Sequence, residues 1–269
     1  MNSMISIIKS AHNPKIKHIE TLLQKARERK KTQQIVIEGE KEILQAHRAN
    51  VKVQTLLLSC DHFNEIEKWK TLFPTTELIG VAEEAYKKIA YREGTVPVVA
   101  LAQMPSFSIH RYLFPENPII LIIEAVEKPG NLGAILRTAD AAGIDLVCLC
   151  DTQTDLYNPN VIRASIGCVF TLPIWICSSE EAYSLLKEKN VNFWVTALSE
   201  NSISYTKVDF CQPSAIVVGT ESKGVSNFWK NKATANIIIP MRGTIDSMNV
   251  SVATAVVVFE AIRQRSLRN

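Results

Sequence analysis

The sequence has no long apolar run. Its longest nearly uncharged apolar stretches, residues 118–125 and 250–259, are far shorter than the roughly 20 residues that cross a bilayer. The run at residues 4–8 is too short for the apolar core of a secretion signal, and no small-residue cleavage pattern follows it. We therefore expect a cytoplasmic protein without a membrane anchor.

The six cysteines never occur in the C-x-x-C spacing from which most zinc and redox sites are built. Free thiols in a reducing compartment are the simplest interpretation, and no metal site is predicted. Cys148 and Cys150 alternate within an apolar run, which predicts that both pack into the core from one face of a strand. No histidine follows His110, so any chemistry beyond that residue must proceed without imidazole.

Glycine-rich signatures of common enzyme classes are also missing. The ten glycines form neither G-x-G-x-x-G nor G-x-x-x-x-G-K-[ST], which argues against a dinucleotide-binding fold and a P-loop nucleotide hydrolase. The G-x-S-x-G elbow is absent as well. Because the second half has no histidine, it lacks the base of a serine-hydrolase triad.

Charge is nearly balanced but unevenly placed. The net charge is +3, yet residues 1–31 hold eight Lys and Arg against two Glu, which gives +6 there. Two interpretations of the cluster at residues 25–31 remain open. It is either a solvated helix end with cations near the negative dipole pole, or a basic patch that faces phosphates.

Short β-rich runs alternate with helical stretches along most of the chain, which predicts an α/β architecture. A proline-containing segment interrupts the pattern, so we predict two α/β domains at residues 1–104 and 118–269, joined by a linker at 105–117. Predicted strands cover residues 35–38, 55–59, 77–81, 97–102, 119–125, 146–150, 192–196, 215–219 and 236–239. Predicted helices cover residues 15–30, 40–49, 63–72, 83–90, 131–142, 180–189, 225–231 and 250–264, with a turn at 158–159.

The last predicted helix, residues 250–264, has almost no polar face. A helix that is apolar all round must be covered on more than one side. Either a large core of the same chain surrounds it or a second subunit completes its burial.

Three polar, glycine-containing loops follow predicted strands, at residues 124–137, 219–224 and 240–251. Ligands of open α/β sheets bind beyond the carboxyl ends of the strands, so the three loops are expected to meet. Asn131 is a candidate N-cap, and Arg137 lies off the apolar stripe of its helix, as a surface residue, a structural ion pair or a functional group. Ser247, Asn249 and Ser251 suit either helix capping or ligand contact.

The loops together resemble the SpoU/TrmH RNA ribose 2′-O-methyltransferases of the SPOUT superfamily. The matching segments are PGNLGAILRTADAAG at 129–143, NPNVIRASIG at 158–167, VVGTESKG at 217–224, IPMRG at 239–243 and SMNVSVA at 247–253. Residues 11–17 and 37–41 also resemble a small RNA-binding domain that many members carry, related in fold to certain ribosomal proteins.

This resemblance implies a C-terminal methyltransferase domain with a trefoil knot, a smaller N-terminal α/β RNA-binding domain, a homodimer and S-adenosylmethionine as methyl donor. Ribosomal RNA is favoured as substrate over tRNA. The donor-contacting positions of the family fall on Gly219, Ile239 and Met248. Its catalytic or active-site polar positions fall on Asn131, Arg137, Glu221, Ser247 and Asn249.

A guanidinium is a poor base at neutral pH, so our hypothesis is that Arg137 stabilises the developing 2′-oxyanion or grips the adjacent phosphate. Asn249 and Glu221 would orient it and the ribose. Two positions depart from the family pattern: Lys128 replaces a common aspartate, and Met248 replaces a common leucine. The alternatives are a tRNA 2′-O-methyltransferase, a base methyltransferase, and a non-enzymatic RNA-binding or ribosome-assembly factor.

Overall fold

The computed structural model describes residues 6–90, 97–220 and 223–268. The chain folds into two compact units. The first unit comprises Met1–Ser106 and Leu156–Thr171, and the second comprises Phe107–Asp155 and Leu172–Asn269. The segment 156–171, which the sequence places within the second α/β set, thus packs with the first unit. The chain therefore passes between the units three times.

Twelve strands are found in the described residues. They are β1 (Ser6–Ile8), β2 (Gln34–Glu38), β3 (Val53–Ser59), β4 (Glu77–Val81), β5 (Val98–Gln103), β6 (Ile119–Glu124), β7 (Leu146–Cys150), β8 (Ile174–Cys177), β9 (Asn192–Thr196), β10 (Ile203–Ser204), β11 (Ser214–Val218) and β12 (Ala235–Ile238). Each predicted strand is present within two residues at either end. Three were not predicted, namely β1, β8 and β10, which have only two to four residues each.

The same part of the chain contains eleven α-helices. They are α1 (Pro14–Gln24), α2 (Ala26–Thr32), α3 (Glu40–Arg48), α4 (Ile66–Leu72), α5 (Glu83–Tyr86), α6 (Pro129–Ala142), α7 (Pro159–Ala164), α8 (Cys168–Thr171), α9 (Ser179–Glu188), α10 (Asn227–Lys232) and α11 (Val250–Ser266). Short 3-10 turns occur at Cys60–Glu65, Ile109–Arg111 and Tyr205–Lys207. The predicted turn at 158–159 is instead the start of α7, because Asn158 caps the helix and Pro159 occupies its first turn.

The first unit is built on a mixed sheet with strand order β1-β4-β3-β5-β2. Strand β5 runs antiparallel to both β3 and β2, while the other pairs are parallel. Helix α1 covers one face of this sheet and buries Ile16, Ile19 and Leu22.

The continuous helix predicted at residues 15–30 is wrong, because the chain bends at Lys25 (φ −118°, ψ 106°) and separates α1 from α2. A helix end leaves its last carbonyl groups without intrahelical partners. Arg29 of α2 is buried and donates hydrogen bonds to the Leu22 and Leu23 carbonyls at this end of α1. A short-range contact of the Arg29 side chain thus accompanies the break, helix propensity does not reveal it, and Arg29 is not available for phosphates.

The second unit contains a seven-stranded sheet with order β10-β12-β9-β11-β6-β7-β8, and every neighbouring pair is parallel. As predicted, Cys148 and Cys150 of β7 are both buried in its core. The segment predicted as a linker contains the crossing at residues 106–107. Tyr112 and Phe114 of that segment pack against the core of the second unit.

Helix α11 packs against α6 and β11. Its buried residues, Thr254, Val257, Val258 and Ala261, recur at helical spacing on one face. On the opposite face, Val252 is 50% exposed and Phe259 is 48% exposed. Within the described chain, the apolar helix is therefore covered on one side.

Candidate active site

The three loops singled out from the sequence leave the same edge of the second sheet. Loop 1 (residues 125–128) follows β6, loop 2 (219–226) follows β11, and loop 3 (239–249) follows β12. Strands β6 and β11 are neighbours, and β12 lies beyond β9. Because all seven strands are parallel, their carboxyl ends share one edge, which is where ligands of open α/β sheets bind.

Loop 1 enters α6 earlier than predicted. The helix begins at Pro129 with Lys128 in the N-cap position, so the prediction of Asn131 as N-cap is wrong. Proline suits the first helical position because its missing N–H would have no partner there. Asn131 consequently lies in the first turn of the helix, with its side chain half-buried.

The first turn of α6 and the end of loop 3 meet through two amide side chains. Asn249 Nδ2 donates to Asn131 Oδ1 at 3.2 Å, although the two residues are 118 positions apart. Asn249 is also the N-cap of α11, where its Oδ1 accepts from the Ser251 amide at 2.9 Å and from the Ser251 hydroxyl at 2.6 Å. The side-chain oxygen of Asn249 therefore caps α11, while its side-chain nitrogen connects loop 3 to α6.

Arg137 lies on α6 outside the buried stripe that Leu132, Ile135, Leu136 and Ala139 form. Its side chain is exposed, and its guanidinium makes no hydrogen bond or ion pair with another described residue. A structural ion pair thus does not explain it in the described part of the chain. An exposed guanidinium without a partner among the described residues, on the helix that carries Asn131, can bind an anionic group.

Loop 2 folds back tightly on itself. The amide of Thr220 donates to the Gly224 carbonyl at 3.2 Å, and the amide of Gly224 donates to the Thr220 carbonyl at 2.9 Å. A Cβ on Gly219 would lie 2.6 Å from the Gly224 carbonyl carbon and 2.7 Å from Val225 Cα, so only glycine fits. Glu221, the predicted polar residue of this loop, lies outside the described residues.

The remaining predicted residues belong to loop 3. Ile239 directly follows β12 and is half-buried, and Met248 is half-buried next to Asn249. Ser247 is exposed and donates to the Asp246 carboxylate at 3.3 Å. The predicted donor-contacting positions thus lie at the carboxyl edge, on loops 2 and 3.

A buried carboxylate behind loops 1 and 2 was not predicted from the sequence. Glu124 ends β6 and is only 7% exposed. Its Oε2 accepts from the Ser226 amide at 2.7 Å, and its Oε1 faces the Ser179 hydroxyl at 3.5 Å. Ser179 also donates to Asp151 at 2.6 Å and accepts from Trp229 Nε1 at 3.0 Å. We call Glu124, Ser179, Asp151 and the Ser226 amide the carboxylate network.

Two further residues at this edge also escaped prediction. Thr154 is buried, and its hydroxyl contacts the carbonyls of Val126 at 2.9 Å and Glu127 at 2.6 Å, which holds the backbone of loop 1. Leu198 follows β9, between the strands that carry loops 2 and 3, and is 80% exposed. Its position after a strand was the only available signal, since nothing in the flanking sequence marks it.

Strained backbone also occurs at the edge. Ala125 and Asp151 each follow a strand directly and adopt φ values of +52° and +49°. L-residues rarely adopt this conformation, which costs of order 1–3 kcal/mol and occurs often at functional sites.

Among the described residues, no group of three His, Cys, Asp or Glu side chains is arranged to hold a metal ion. No helix described in the structure is long and apolar enough to cross a membrane.

Comparison with family models gives two matches. Residues 118–259 match the SpoU rRNA Methylase family, and residues 13–100 match the MRM3-like substrate binding domain. The two matches together cover most of the chain and correspond to its two halves.

Individual proteins are similar over nearly the whole length. The chain is 31% identical to the 23S rRNA (guanosine(2553)-2′-O)-methyltransferase RlmP of Bacillus subtilis, covering 94% of this chain and 97% of that protein. It is 28% identical to the 23S rRNA (uridine(2479)-2′-O)-methyltransferase of Streptomyces viridochromogenes, covering 95% of this chain and 92% of that protein. The crystal structure of an AdoMet-bound rRNA methyltransferase from Sinorhizobium meliloti superposes with a TM-score of 0.87 at 28% identity, covering 97% of this chain and 98% of that one.

Proposed function

The chain belongs to the SpoU rRNA methylase family, and from this premise we propose that it methylates a ribose 2′-hydroxyl of ribosomal RNA with S-adenosylmethionine as donor. The contact between Asn131 and Asn249 carries the proposal, because it joins two motif loops 118 residues apart in sequence. Helix α6 also carries Arg137, an exposed cation that forms no hydrogen bond or ion pair with another described residue. Relatives that act on the 2′-oxygen of 23S rRNA, and an AdoMet-bound neighbour, support the reaction and the donor.

The residues at the edge fit S-adenosylmethionine. At Gly219 the position of a Cβ is filled by Gly224 and Val225, so the close turn of loop 2 at the end of β11 requires glycine. Ile239 and Met248 are half-buried apolar residues suited to flank an adenine ring. We assign Gly219, Ile239 and Met248 as donor-binding residues. When bound, the donor supplies an electrophilic methyl group on a sulfonium sulfur.

The protein must hold the ribose in line and stabilise the negative charge that develops on the 2′-oxygen as it loses its proton. Arg137 has the charge and the planar donors for this oxyanion or for the adjacent phosphate. Asn131 and Asn249 position one another through their hydrogen bond and so fix the polar wall beside α6. We assign Glu221 and Ser247 to ribose orientation. Guanidinium groups stay protonated at neutral pH, so Arg137 acts as an electrostatic partner and not as the base.

Ribosomal RNA is the substrate that the relatives support. The match of residues 13–100 to a substrate binding domain supports the proposal that the N-terminal part of the chain selects the RNA. Two relatives of similar identity modify different nucleotides, guanosine 2553 and uridine 2479 of 23S rRNA. Overall similarity therefore indicates the class of RNA but not the nucleotide, which depends on residues that contact the RNA.

A homodimer is part of the proposal. Val252 and Phe259 form an exposed apolar stripe on the face of α11 opposite its buried residues, and a second copy would cover it. Light scattering of Phe259→Glu should give the mass of one chain, whereas Leu113→Glu, at a site 90% exposed in the same unit, should keep the mass of two. Equal masses for both variants would contradict this assignment.

Three finer features also stay proposals: a trefoil knot in the methyltransferase domain, a fold of the first unit related to certain ribosomal proteins, and a cytoplasmic location. The first two rest on the motifs at residues 11–17, 37–41 and 217–253, which resemble segments of the family. The location rests on the six thinly spread cysteines, which suit a reducing compartment.

The test is methylation of ribosomal RNA, stripped of its natural modifications, with isotopically labelled donor. Nuclease digestion and mass spectrometry should recover one 2′-O-methylated nucleoside. An RNA fragment with 2′-deoxyribose at the mapped position should accept no methyl group. Label on a base would contradict ribose methylation, and label in tRNA alone would contradict the substrate. Binding of RNA without donor binding, measured by calorimetry, would instead indicate a non-enzymatic RNA-binding protein.

A further inference from the structure

Three thiols of the methyltransferase sheet lie close together, outside the machinery described above. Cys148 and Cys150 are on β7, and Cys177 ends the neighbouring strand β8. The sulfur atoms of Cys150 and Cys177 are 3.8 Å apart, and neither forms a disulfide in this structure. The two residues are also direct partners in the parallel register of β7 and β8.

We propose that Cys150 and Cys177 are a thiol oxidation site, at which a hydroperoxide drives formation of a reversible disulfide across the ends of β7 and β8. Neighbouring strands lie about 4.8 Å apart, within the roughly 4.4–6.8 Å Cα separation of disulfides. Cys148 faces the same side of the sheet, but its register partner is Trp175. Geometry therefore selects Cys150 as the partner of Cys177.

Cys177 is the thiol that meets the oxidant. It lies on β8, an edge strand of the sheet, and is half-buried, whereas Cys148 and Cys150 are fully buried. Hydrogen bonds from the Cys148 and Cys150 thiols lower the pKa of the Cys177 thiol, while burial and the Glu181 and Asp151 carboxylates oppose this shift. The thiolate is the reactive form, so an accessible sulfur with a lowered pKa is the nucleophile.

The chemistry balances with the peroxide as the only oxidant. The Cys177 thiolate attacks one peroxide oxygen, an S–O bond forms, the O–O bond breaks, and hydroxide leaves and is protonated to water. Cys150 then attacks the sulfenic sulfur, the S–S bond forms, and the hydroxyl leaves as a second water with the proton released by Cys150. Two thiols lose two electrons, which the peroxide accepts.

The hydrogen bonds of the carboxylate network connect this pair of thiols to the proposed active site. Asp151 follows Cys150, and its amide donates to the Cys177 carbonyl at 3.1 Å. Ser179 lies two residues after Cys177 and donates to Asp151, and Glu124 holds the Ser226 amide at the end of loop 2. A covalent bond that draws the two sulfurs together changes the spacing on which these hydrogen bonds depend. This consequence for methylation rests on the proposed function, whereas the disulfide itself does not.

Peptide mapping after treatment of the full-length protein with hydrogen peroxide tests the site. Tryptic peptides 138–163 and 164–187 should become linked with the loss of two hydrogens, and fragment spectra should assign the bond to Cys150 and Cys177. Dithiothreitol should release the peptides. Cys177→Ser should abolish the link, Cys211→Ser should retain it, and Cys150→Ala should leave Cys177 as a sulfenic acid that dimedone traps.

A link through Cys148, or wild-type protein whose Cys177 still reacts with N-ethylmaleimide after peroxide, would overturn the assignment. The effect of the disulfide on methylation needs a second measurement. Cross-linked wild-type protein should methylate RNA several-fold more slowly and should recover its rate in dithiothreitol. Cys177→Ser treated with peroxide should keep its rate. Unchanged turnover of fully cross-linked protein would refute the coupling. Reduced protein that never methylates RNA would refute the proposed function and leave the disulfide standing.

Discussion

The two sheets of the molecule differ in strand direction, and this difference explains where the polar loop residues come together. In the second unit all seven strands are parallel, so their carboxyl ends and the loops after them share one edge. In the first unit β5 runs against β2 and β3, so strand ends are divided between two edges. A parallel sheet gathers residues from distant sequence positions at one place, whereas a mixed sheet distributes them.

The two units also differ in their exposed charge. Residues 1–31 carry a net charge of +6, and Lys25, Arg27, Lys30 and Lys31 at the start and end of α2 are exposed. Phosphate interactions supply much of RNA affinity without specifying chemistry. We therefore expect the first unit to govern RNA affinity and the second to govern the rate of methyl transfer.

Arg137→Ala is the strongest test of the expectation that the second unit governs the rate of methyl transfer. We expect a loss of about 100-fold or more in the single-turnover rate, the size seen when one oxyanion donor is removed, with RNA and donor affinities nearly unchanged. Arg137→Lys should lie between, because a point charge replaces a planar fork. Arg111→Ala removes an exposed cation of the same unit and is the control. Near wild-type turnover by Arg137→Ala would remove Arg137 from the mechanism.

Gly219→Ala tests whether loop 2 of the second unit requires the close backbone contact of Gly219 with Gly224 and Val225. The new Cβ would meet backbone atoms of Gly224 and Val225, which have no flexible end that could move aside. We expect at least about tenfold weaker donor binding by calorimetry, or about 2 kcal/mol lost from the free energy of unfolding. Gly130→Ala has nothing within 4 Å of its Cβ and should change neither quantity appreciably. Equal behaviour of the two variants would contradict the packing argument.

Glu124→Ala tests whether the buried carboxylate behind loops 1 and 2 positions loop 2 of the second unit. Removing the carboxylate takes away the acceptor of the Ser226 amide, and a hydrogen bond to a charged group contributes about 1.5–3 kcal/mol. We expect a several-fold higher KM for the donor with little change in kcat, because loop 2 loses its anchor. Glu124→Gln retains an acceptor oxygen and should restore most of the affinity. A lower kcat with unchanged KM would argue against a positioning role.

The double variant Lys30→Ala/Lys31→Ala probes the first unit and should have the smallest effect. We expect weaker RNA binding and a salt dependence whose logarithmic slope falls by about 0.7 for each phosphate that is no longer neutralised, while turnover at saturating RNA stays unchanged. Lys87→Ala/Lys88→Ala removes two exposed cations from the turn that follows α5 in that unit. If both pairs change RNA binding equally, the cluster at residues 25–31 is a solvated helix end and not a dedicated surface.

Strand positions were predictable because buried strands of an α/β domain form short apolar runs, as at β6 and β11. Cys148 and Cys150 were assigned correctly to one buried face for the same reason. Two features were missed for other reasons. The break between α1 and α2 depends on a side-chain contact of Arg29 with carbonyls six and seven residues away, which helix periodicity does not register. The four-residue strand β8 was missed although the four-residue β12 was found, so length alone does not separate the two.

Among the residues of the candidate site, some were predictable from the sequence and others were not. Motif residues such as Asn131 and Asn249 were found from the resemblance, and the structure brings them into contact. For Glu124 the sequence indicates only that an apolar strand meets a loop, because its partners Ser179 and Ser226 are 55 and 102 residues away. A buried carboxylate gives no local signal in sequence when all its partners are remote.

The segment 156–171 has a consequence for how genes of this kind can recombine. It carries α7 and α8, whose Val161, Ile162, Cys168 and Val169 are buried, and it belongs to the first unit although the second unit flanks it in sequence. Gly167 has a φ of +79°, and a Cβ there would lie 2.9 Å from Gln45 Cβ, so the fit between this segment and α3 is close. A single crossover near codon 106 would combine one parent's first 106 residues with the other parent's α7 and α8. Exchange of the first unit between relatives therefore requires two additional breakpoints, around codons 155 and 171, so that all the buried residues of that unit come from one parent.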